Sequence, residues 1–261
     1  MFENIPLEMR PTPTGITLYG FIAPNAVKVS IALQILGVKY TVRNINILKG
    51  IQKSPWYVEL NPEGTVPTLV DAGDGSSSPI VIWESGAILQ YLLSKYDPEG
   101  RVLGYPVDSA EYPQQLSWLF FQVSEAGALQ LQANRHFVFP SKKDTEQERN
   151  LLKTRYIGET RRIYRLLERH LAARAKSHAP GDDPLVLVGS RVCVADIAHI
   201  GWITMAFLIG IDVPSEFPHI TKWIEHVIAQ KGVVQGLDAS GPWFGFSRRA
   251  PWKRPGPDMR L

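Results

Sequence analysis

The sequence predicts an α/β domain followed by an all-helical domain, and three features carry that reading. Between Ile16 and Tyr96 the hydrophobic period switches repeatedly between two and 3.6 residues; after Asp97 the strand signals vanish and only long helical stripes remain. Between the two stretches, residues Asp97 to Glu111 hold Pro98, Gly100, Gly104 and Pro106 and read as a linker.

Each element has its own local signal. Ile16 to Phe21 is a short run of strand formers. Ala26 to Leu36 carries Val29, Ala32, Leu33 and Leu36 as a helical stripe closed by Gly37, and Tyr40 to Ile47 alternates Val42, Ile45 and Ile47 like a strand, completing a βαβ unit. A polar helix is expected at Ser54 to Leu60. Val66 to Val70 and Ile80 to Trp83, joined by a Gly/Ser turn at Gly73 to Ser78, read as a hairpin, and Glu84 to Tyr96 as an amphipathic helix. The later helices are expected at Leu116 to Leu131, Lys143 to Arg174, Asp196 to Ile209 and His219 to Gln230. The division that follows is an arm at 1–15, an α/β domain at 16–96, a linker at 97–111, a helical domain at 112–240 and a tail at 241–261.

Composition narrows the function classes. With 44% hydrophobic and 20% charged residues the chain is globular. The single cysteine, Cys193, cannot form an intramolecular disulfide, a zinc cluster or a CxxC pair, so any thiol chemistry has to come from a small molecule, no metal is expected and a reducing compartment fits. Residues 1–15 have neither a basic nor an apolar signal region, and the longest apolar stretch, Ile197 to Ile211, falls short of the roughly 20 residues a bilayer requires; it reads as a buried core helix. A cytoplasmic protein with no membrane partner is expected. The net charge of +3 is concentrated at the end: the last 21 residues carry Arg248, Arg249, Lys253, Arg254 and Arg260 against Asp258, so the rest of the chain is nearly neutral. No basic face for nucleic acid follows from a charged, Pro-rich terminus.

Three places in the first domain can carry chemistry. At Ala23-Pro24-Asn25 a strand runs into a helix whose expected N-cap is Asn25, and a helix N-terminus attracts anions, thiolates among them. At Val66-Pro67 the X-Pro bond is either trans at an ordinary strand start or cis; the cis form turns the Val66 backbone outward to pair with a peptide ligand. At Trp83-Glu84-Ser85-Gly86 a strand ends at a helix N-terminus bearing a carboxylate and a hydroxyl. That pair is either a simple cap or a site for an amino-acid headgroup, with Ser85 and backbone N–H groups on the carboxylate and Glu84 on the ammonium.

Taken together, Leu18 to Val29, Asn61-Pro-Glu-Gly-Thr-Val-Pro-Thr-Leu69 and Trp83-Glu-Ser-Gly-Ala-Ile-Leu-Gln-Tyr91 resemble the glutathione transferase superfamily. The resemblance continues through Trp118-Leu-Phe-Phe-Gln122, Gln132-Ala-Asn134, Arg155-Tyr156, Glu159-Thr-Arg-Arg-Ile-Tyr164 and Val194-Ala-Asp-Ile197. It points to the fungal subfamily of the yeast nitrogen-regulator prion protein and to the bacterial nu class. It implies a thioredoxin-like N-terminal domain, an all-α C-terminal domain, glutathione as cosubstrate and a homodimer. Carried over by position, Asn25 is the thiol contact, Val66 the backbone contact to the cysteinyl unit, and Glu84 and Ser85 the γ-glutamyl clamp. Gln52 and Lys53 fall where the glycine carboxylate binds, and Arg155 matches a helical-domain arginine that reaches the site or, equally, forms a surface salt bridge.

The departures from the family pattern are informative. Gly20 stands where tyrosine-type enzymes have their phenol, with Tyr19 pointing to the opposite face, and Ala23 stands where others have serine, threonine or cysteine. Asn25 and the helix terminus are left to activate the thiol. Cys193 replaces a Ser or Thr cap and is expected to be buried or capping. The Asn-rich extension of the prion protein is absent. Ser124 to Leu131 lacks the proline found in relatives, so a straighter helix is expected there. Phe21, Arg135, His136 and Phe137, with Phe139 behind them, form an acceptor set suited to a flat, conjugated electrophile, or else Phe137 and Phe139 are core. The activity implied is transfer of glutathione to a hydrophobic electrophile in detoxification or secondary metabolism, or peroxidase or isomerase chemistry; a non-catalytic glutathione-binding regulator is the alternative. Gly241 to Phe246 carries Trp243, Phe244 and Phe246 and is expected to fold back onto the body.

Overall fold

A computed structural model describes residues 2–138, 145–177 and 185–243, which divide into two compact units, 2–104 with 231–243, and 105–230. In the first unit, β1 (Ile16–Gly20), α1 (Pro24–Ile35) and β2 (Tyr40–Asn44) make the βαβ part. Then come α2 (Pro55–Val58), β3 (Thr68–Asp71), β4 (Ile80–Trp83) and α3 (Ser85–Tyr96). The sheet order is β2-β1-β3-β4, with β1 parallel to β2 and antiparallel to β3, and β3 antiparallel to β4.

Every residue of β1 is buried, as a central strand requires. Because strand side chains alternate, Tyr19 lies in a cluster with Ile5, Ile45, Tyr57, Leu60 and Val70, while α1 and α3 pack against each other. The Tyr19 hydroxyl donates to the Met9 carbonyl at 2.8 Å, tying the N-terminal arm to the sheet. Asp97 is buried and its carboxylate accepts N–H bonds from Arg101, Val102, Leu103 and Gly104, so the first part of the expected linker is a built loop.

The second unit contains α4 (Glu111–Phe121), α5 (Gly127–Phe137), α6 (Glu146–Ser177), α7 (Val194–Thr204), α8 (Val213–Glu216) and α9 (Pro218–Ile228). Between α4 and α5, Gln122–Ala126 is a π-helical turn, closed by the Gly127 N–H on the Gln122 carbonyl. The expected straighter helix is therefore corrected: losing a proline removes its ring clash, but the wide turn persists where the chain meets α7. A Cβ at Gly127 would lie 3.1 Å from Trp202 Nε1. All of α7 is buried, and the apolar stretch that continues past it breaks at Met205 into a 3₁₀ turn, Ala206–Ile209. No helix among the described residues is long and apolar enough to cross a membrane.

One further difference from expectation has a clear cause. The segment 231–243, which includes α10 (Val233–Leu237), groups with the first unit and not with the helical one. Its docking is close: a Cβ on Gly236 would come within 2.4 Å of Ile31 Cα, and the Ser30 hydroxyl donates to the Gly236 carbonyl at 2.6 Å. Of the tail, Trp243 is buried and its N–H donates to Asp238, in keeping with the fold-back; Phe244, Phe246 and the basic end lie outside the described residues, as does Phe139.

Candidate functional site

Strand register brings the three chemistry-bearing segments of the first unit to one end of the sheet. Tyr19 pairs with Thr68 and Thr68 with Trp83, so the end of β1, the start of β3 and the end of β4 coincide. Phe21 with the start of α1, Val66, and Glu84 with Ser85 follow or precede those paired residues by one to five positions.

At the first of these, Pro24 occupies N1 of α1 and Ala23 is the N-cap in an extended conformation. Asn25 is therefore not the cap but the second helical residue. Proline's fixed φ suits N1, and the residue before it is driven to extended backbone. The N-cap residue itself makes no side-chain cap. Phe21 is half-buried, and its carbonyl accepts the Ala23 N–H at 2.8 Å. Gly20 has a local reason: a Cβ there would meet Ser240 Oγ at 3.3 Å.

The Val66-Pro67 bond is cis. The loop before it is held by the Thr65 carbonyl, which accepts from the Tyr57 hydroxyl at 2.8 Å and the Asn61 amide at 2.9 Å. Lys53 reaches the same loop, its ammonium donating to the Glu63 carbonyl at 2.7 Å beside Gly64, whose φ is +62°. Gln52 turns inward, its amide donating to the Ile47 carbonyl at 3.2 Å, while its buried Oε1 has no partner among the described residues.

At the third place Glu84 has φ 70° and ψ 116°, a left-handed backbone found among the described residues at no other non-glycine. Such a conformation costs roughly 1–3 kcal/mol and concentrates at functional sites. The carboxylate of Glu84 is exposed, and Ser85, the first residue of α3, is buried. Sequence reasoning missed Lys28: it is buried at 1% exposure and its ammonium donates to Ser85 Oγ at 3.3 Å. Burial draws its pKa down to about 7, with the Glu84 carboxylate acting in the opposite direction. The signal was available, since Lys28 is the one charged residue in the twelve of α1.

The remaining expected residues belong to the second unit. His136 on α5 stacks on Tyr156 of α6 with centroids 5.8 Å apart and planes 4° from parallel, and the Arg155 guanidinium sits 5.9 Å from the same ring. Arg135 and Arg155 are exposed; the side chain of Phe137 lies outside the described residues. Cys193 is buried as the N-cap of α7, and burial raises its thiol pKa well above the ordinary range. Among the described residues no group of His, Cys, Asp or Glu side chains has the makings of a metal site.

The Glutathione S-transferase N-terminal domain family matches residues 22–95, and the Glutathione S-transferase C-terminal domain family matches residues 135–231. The chain is 34% identical over 260 residues to the transcriptional regulator URE2 of Saccharomyces cerevisiae, covering 90% of this chain and 70% of that protein. It is 35% identical over 232 residues to the glutathione S-transferase-like protein tpcF of Aspergillus fumigatus, covering 87% and 96%. A solved glutathione transferase homolog from Lodderomyces elongisporus, with two GSH per subunit, is similar at a TM-score of 0.76 and 38% identity, over 86% of this chain and 98% of that one. With matches in both halves and a small mixed sheet preceding a helical unit, the chain belongs to the glutathione S-transferase family.

Proposed function

We propose that this protein binds glutathione at the sheet end bearing Asn25, Val66, Glu84 and Ser85 and activates its thiol for attack on a hydrophobic, conjugated electrophile. The observation that carries the reading is the pairing of a left-handed Glu84 with a buried Ser85 at the start of α3, in line with Val66 and the start of α1. An amino-acid headgroup needs an anion and a hydroxyl side by side, and those two residues supply them. Lys53 and Gln52 would hold the glycine carboxylate.

Activation falls to Asn25 and the α1 terminus, because Gly20 and Ala23 offer no hydroxyl. A helix terminus is worth about 0.3–1 kcal/mol to an anion, rising to about 2 when partly buried, and a hydrogen bond to a charged group about 1.5–3. At about 1.4 kcal/mol per pKa unit, these lower a thiol of pKa near 8.5 by roughly one to three units. The thiolate then adds to the electrophile, with Phe21 of the same unit serving the acceptor side. A homodimer acting in the cytoplasm, in detoxification or secondary metabolism, completes the reading.

A second reading is favoured by the identity to a transcriptional regulator: a glutathione-binding regulatory protein without turnover. Assaying kcat/KM on a panel of electrophiles, with glutathione binding measured in parallel, separates the two. Binding with turnover, better on bulky conjugated carbonyl compounds than on chlorodinitrobenzene, supports the enzyme; binding without any turnover supports the regulator.

A further inference from the structure

Lys28 is the anomaly of the first unit. It projects from the first turns of α1, is as buried as the apolar residues around it, and ends at the hydroxyl of the residue that opens α3. A lysine is rarely buried without an electrostatic reason. Here the reason lies at the start of α3, where the helix already favours an anion.

We propose that Lys28 is a positioning residue for the α-carboxylate of the γ-glutamyl headgroup. Its ammonium donates to Ser85 Oγ, which occupies a lone pair of that oxygen and leaves the Ser85 O–H to donate toward the ligand carboxylate; its charge stands behind the clamp and balances the anion. The inference rests on the glutathione reading above. Among the described residues, the Glu84 carboxylate acts on the same ammonium. Of the described elements packed on α1, α10 carries no ionisable side chain, Tyr19 of β1 turns to the opposite cluster, and Lys95, Tyr91 and Tyr96 of α3 gather on Asp71.

The clamp should then depend on the protonation of Lys28, which burial brings into the physiological range. A lysine with a folded pKa near 7 is charged below that pH and neutral above it, so its contribution to anion binding is present in mild acid and fades as the pH rises.

Calorimetric titration of the full chain with S-hexylglutathione, which has no thiol to ionise, tests this between pH 5.5 and 8.5. Lys28→Met is expected to bind about tenfold more weakly than the native protein at the acid end, with the ratio narrowing to about twofold at the alkaline end. Lys28→Arg is expected to restore affinity and remove the pH dependence. The ligand's own amine titrates alike for both proteins and cancels in the ratio. A lysine that merely joined α1 to α3 would lower the melting temperature and leave the ratio flat with pH, and that result overturns the proposal. If Lys28→Met does not fold, the native protein decides alone: affinity that does not fall across pH 7 overturns the inference while leaving glutathione binding intact. No binding to the native protein at any pH defeats the underlying reading as well.

Discussion

Helix N-termini in the two units meet the same demand in opposite ways. In the second unit, α7 begins with a capping box: the Cys193 side chain accepts from the Asp196 backbone, and the Asp196 carboxylate accepts from the Cys193 N–H at 2.8 Å. The same buried carboxylate accepts from the Leu187 N–H and from Trp223 Nε1, both at 2.8 Å. At the start of α9, Glu168 from α6 accepts the N–H groups of His219 and Ile220. In the first unit, the N-cap residues of α1 and α3, Ala23 and Glu84, make no side-chain cap. A helix leaves its first N–H groups unmatched, and each end must find acceptors in the protein or in a ligand. In the helical unit α7 and α9 meet carboxylates of the protein, whereas in the sheet unit the N-cap residues of α1 and α3 make no side-chain cap, and Glu84 holds a strained backbone at one of them.

That contrast predicts which variants cost stability and which cost binding. The largest effect is expected at the closed end. Asp196→Ala removes a buried carboxylate that takes three N–H donors and should destabilise by about 3–5 kcal/mol, seen as a large drop in melting temperature. An unchanged melt would dissolve the distinction between the two kinds of terminus. At the open end of α3, Ser85→Ala takes one acceptor from the buried Lys28 ammonium and should lower the melt less than Asp196→Ala does, while weakening glutathione binding by roughly ten to over a hundredfold, or about 1.5–3 kcal/mol, by calorimetry. Native affinity would remove the clamp.

Asn25→Ala comes next. It should keep the fold and hold affinity within a few-fold, while raising the bound thiol's pKa by about one unit, about 1.4 kcal/mol, read by ultraviolet titration of the thiolate. An unshifted titration would leave the helix terminus itself as the activator. The smallest effect, and the sharpest on the comparison, is Glu84→Gly. Relieving the left-handed backbone should raise stability by about 1 kcal/mol while affinity falls, because the strain belongs to the site and not to the fold. A loss of both would make Glu84 a structural cap.

Much of this was legible in the chain. The switch between two-residue and 3.6-residue periods identified every strand and both layers of the first unit, because β1 is buried on both faces and its flanking helices are amphipathic or apolar. The start of α1 was misjudged by the rule that favours Asn as a cap, when the proline one residue earlier had already set the terminus. The cis form of Val66-Pro67 was open, since the local sequence permits either isomer. Lys28 was passed over because a single lysine in an apolar stripe reads as exposed until its helix is seen to be covered on that face too. The π turn escaped notice for a similar reason: at Gly127, where it closes, an added Cβ would meet Trp202, a residue distant in sequence, and no local pattern encodes that neighbour. The assignment of 231–243 likewise depends on a partner, Ile31, that a local period cannot reveal.

That last pairing governs the order in which the protein can be made. The Ser30 hydroxyl and the Gly236 carbonyl are 206 positions apart, so the first unit cannot finish assembling as its own residues leave the ribosome. Until the final stretch is translated, α1 waits with the face meant for α10 uncovered and Ile31 exposed to solvent or to chaperones. A premature stop just ahead of Val233 would therefore injure the oldest part of the nascent chain first, and the damage would fall on the half that carries Asn25 and Ser85.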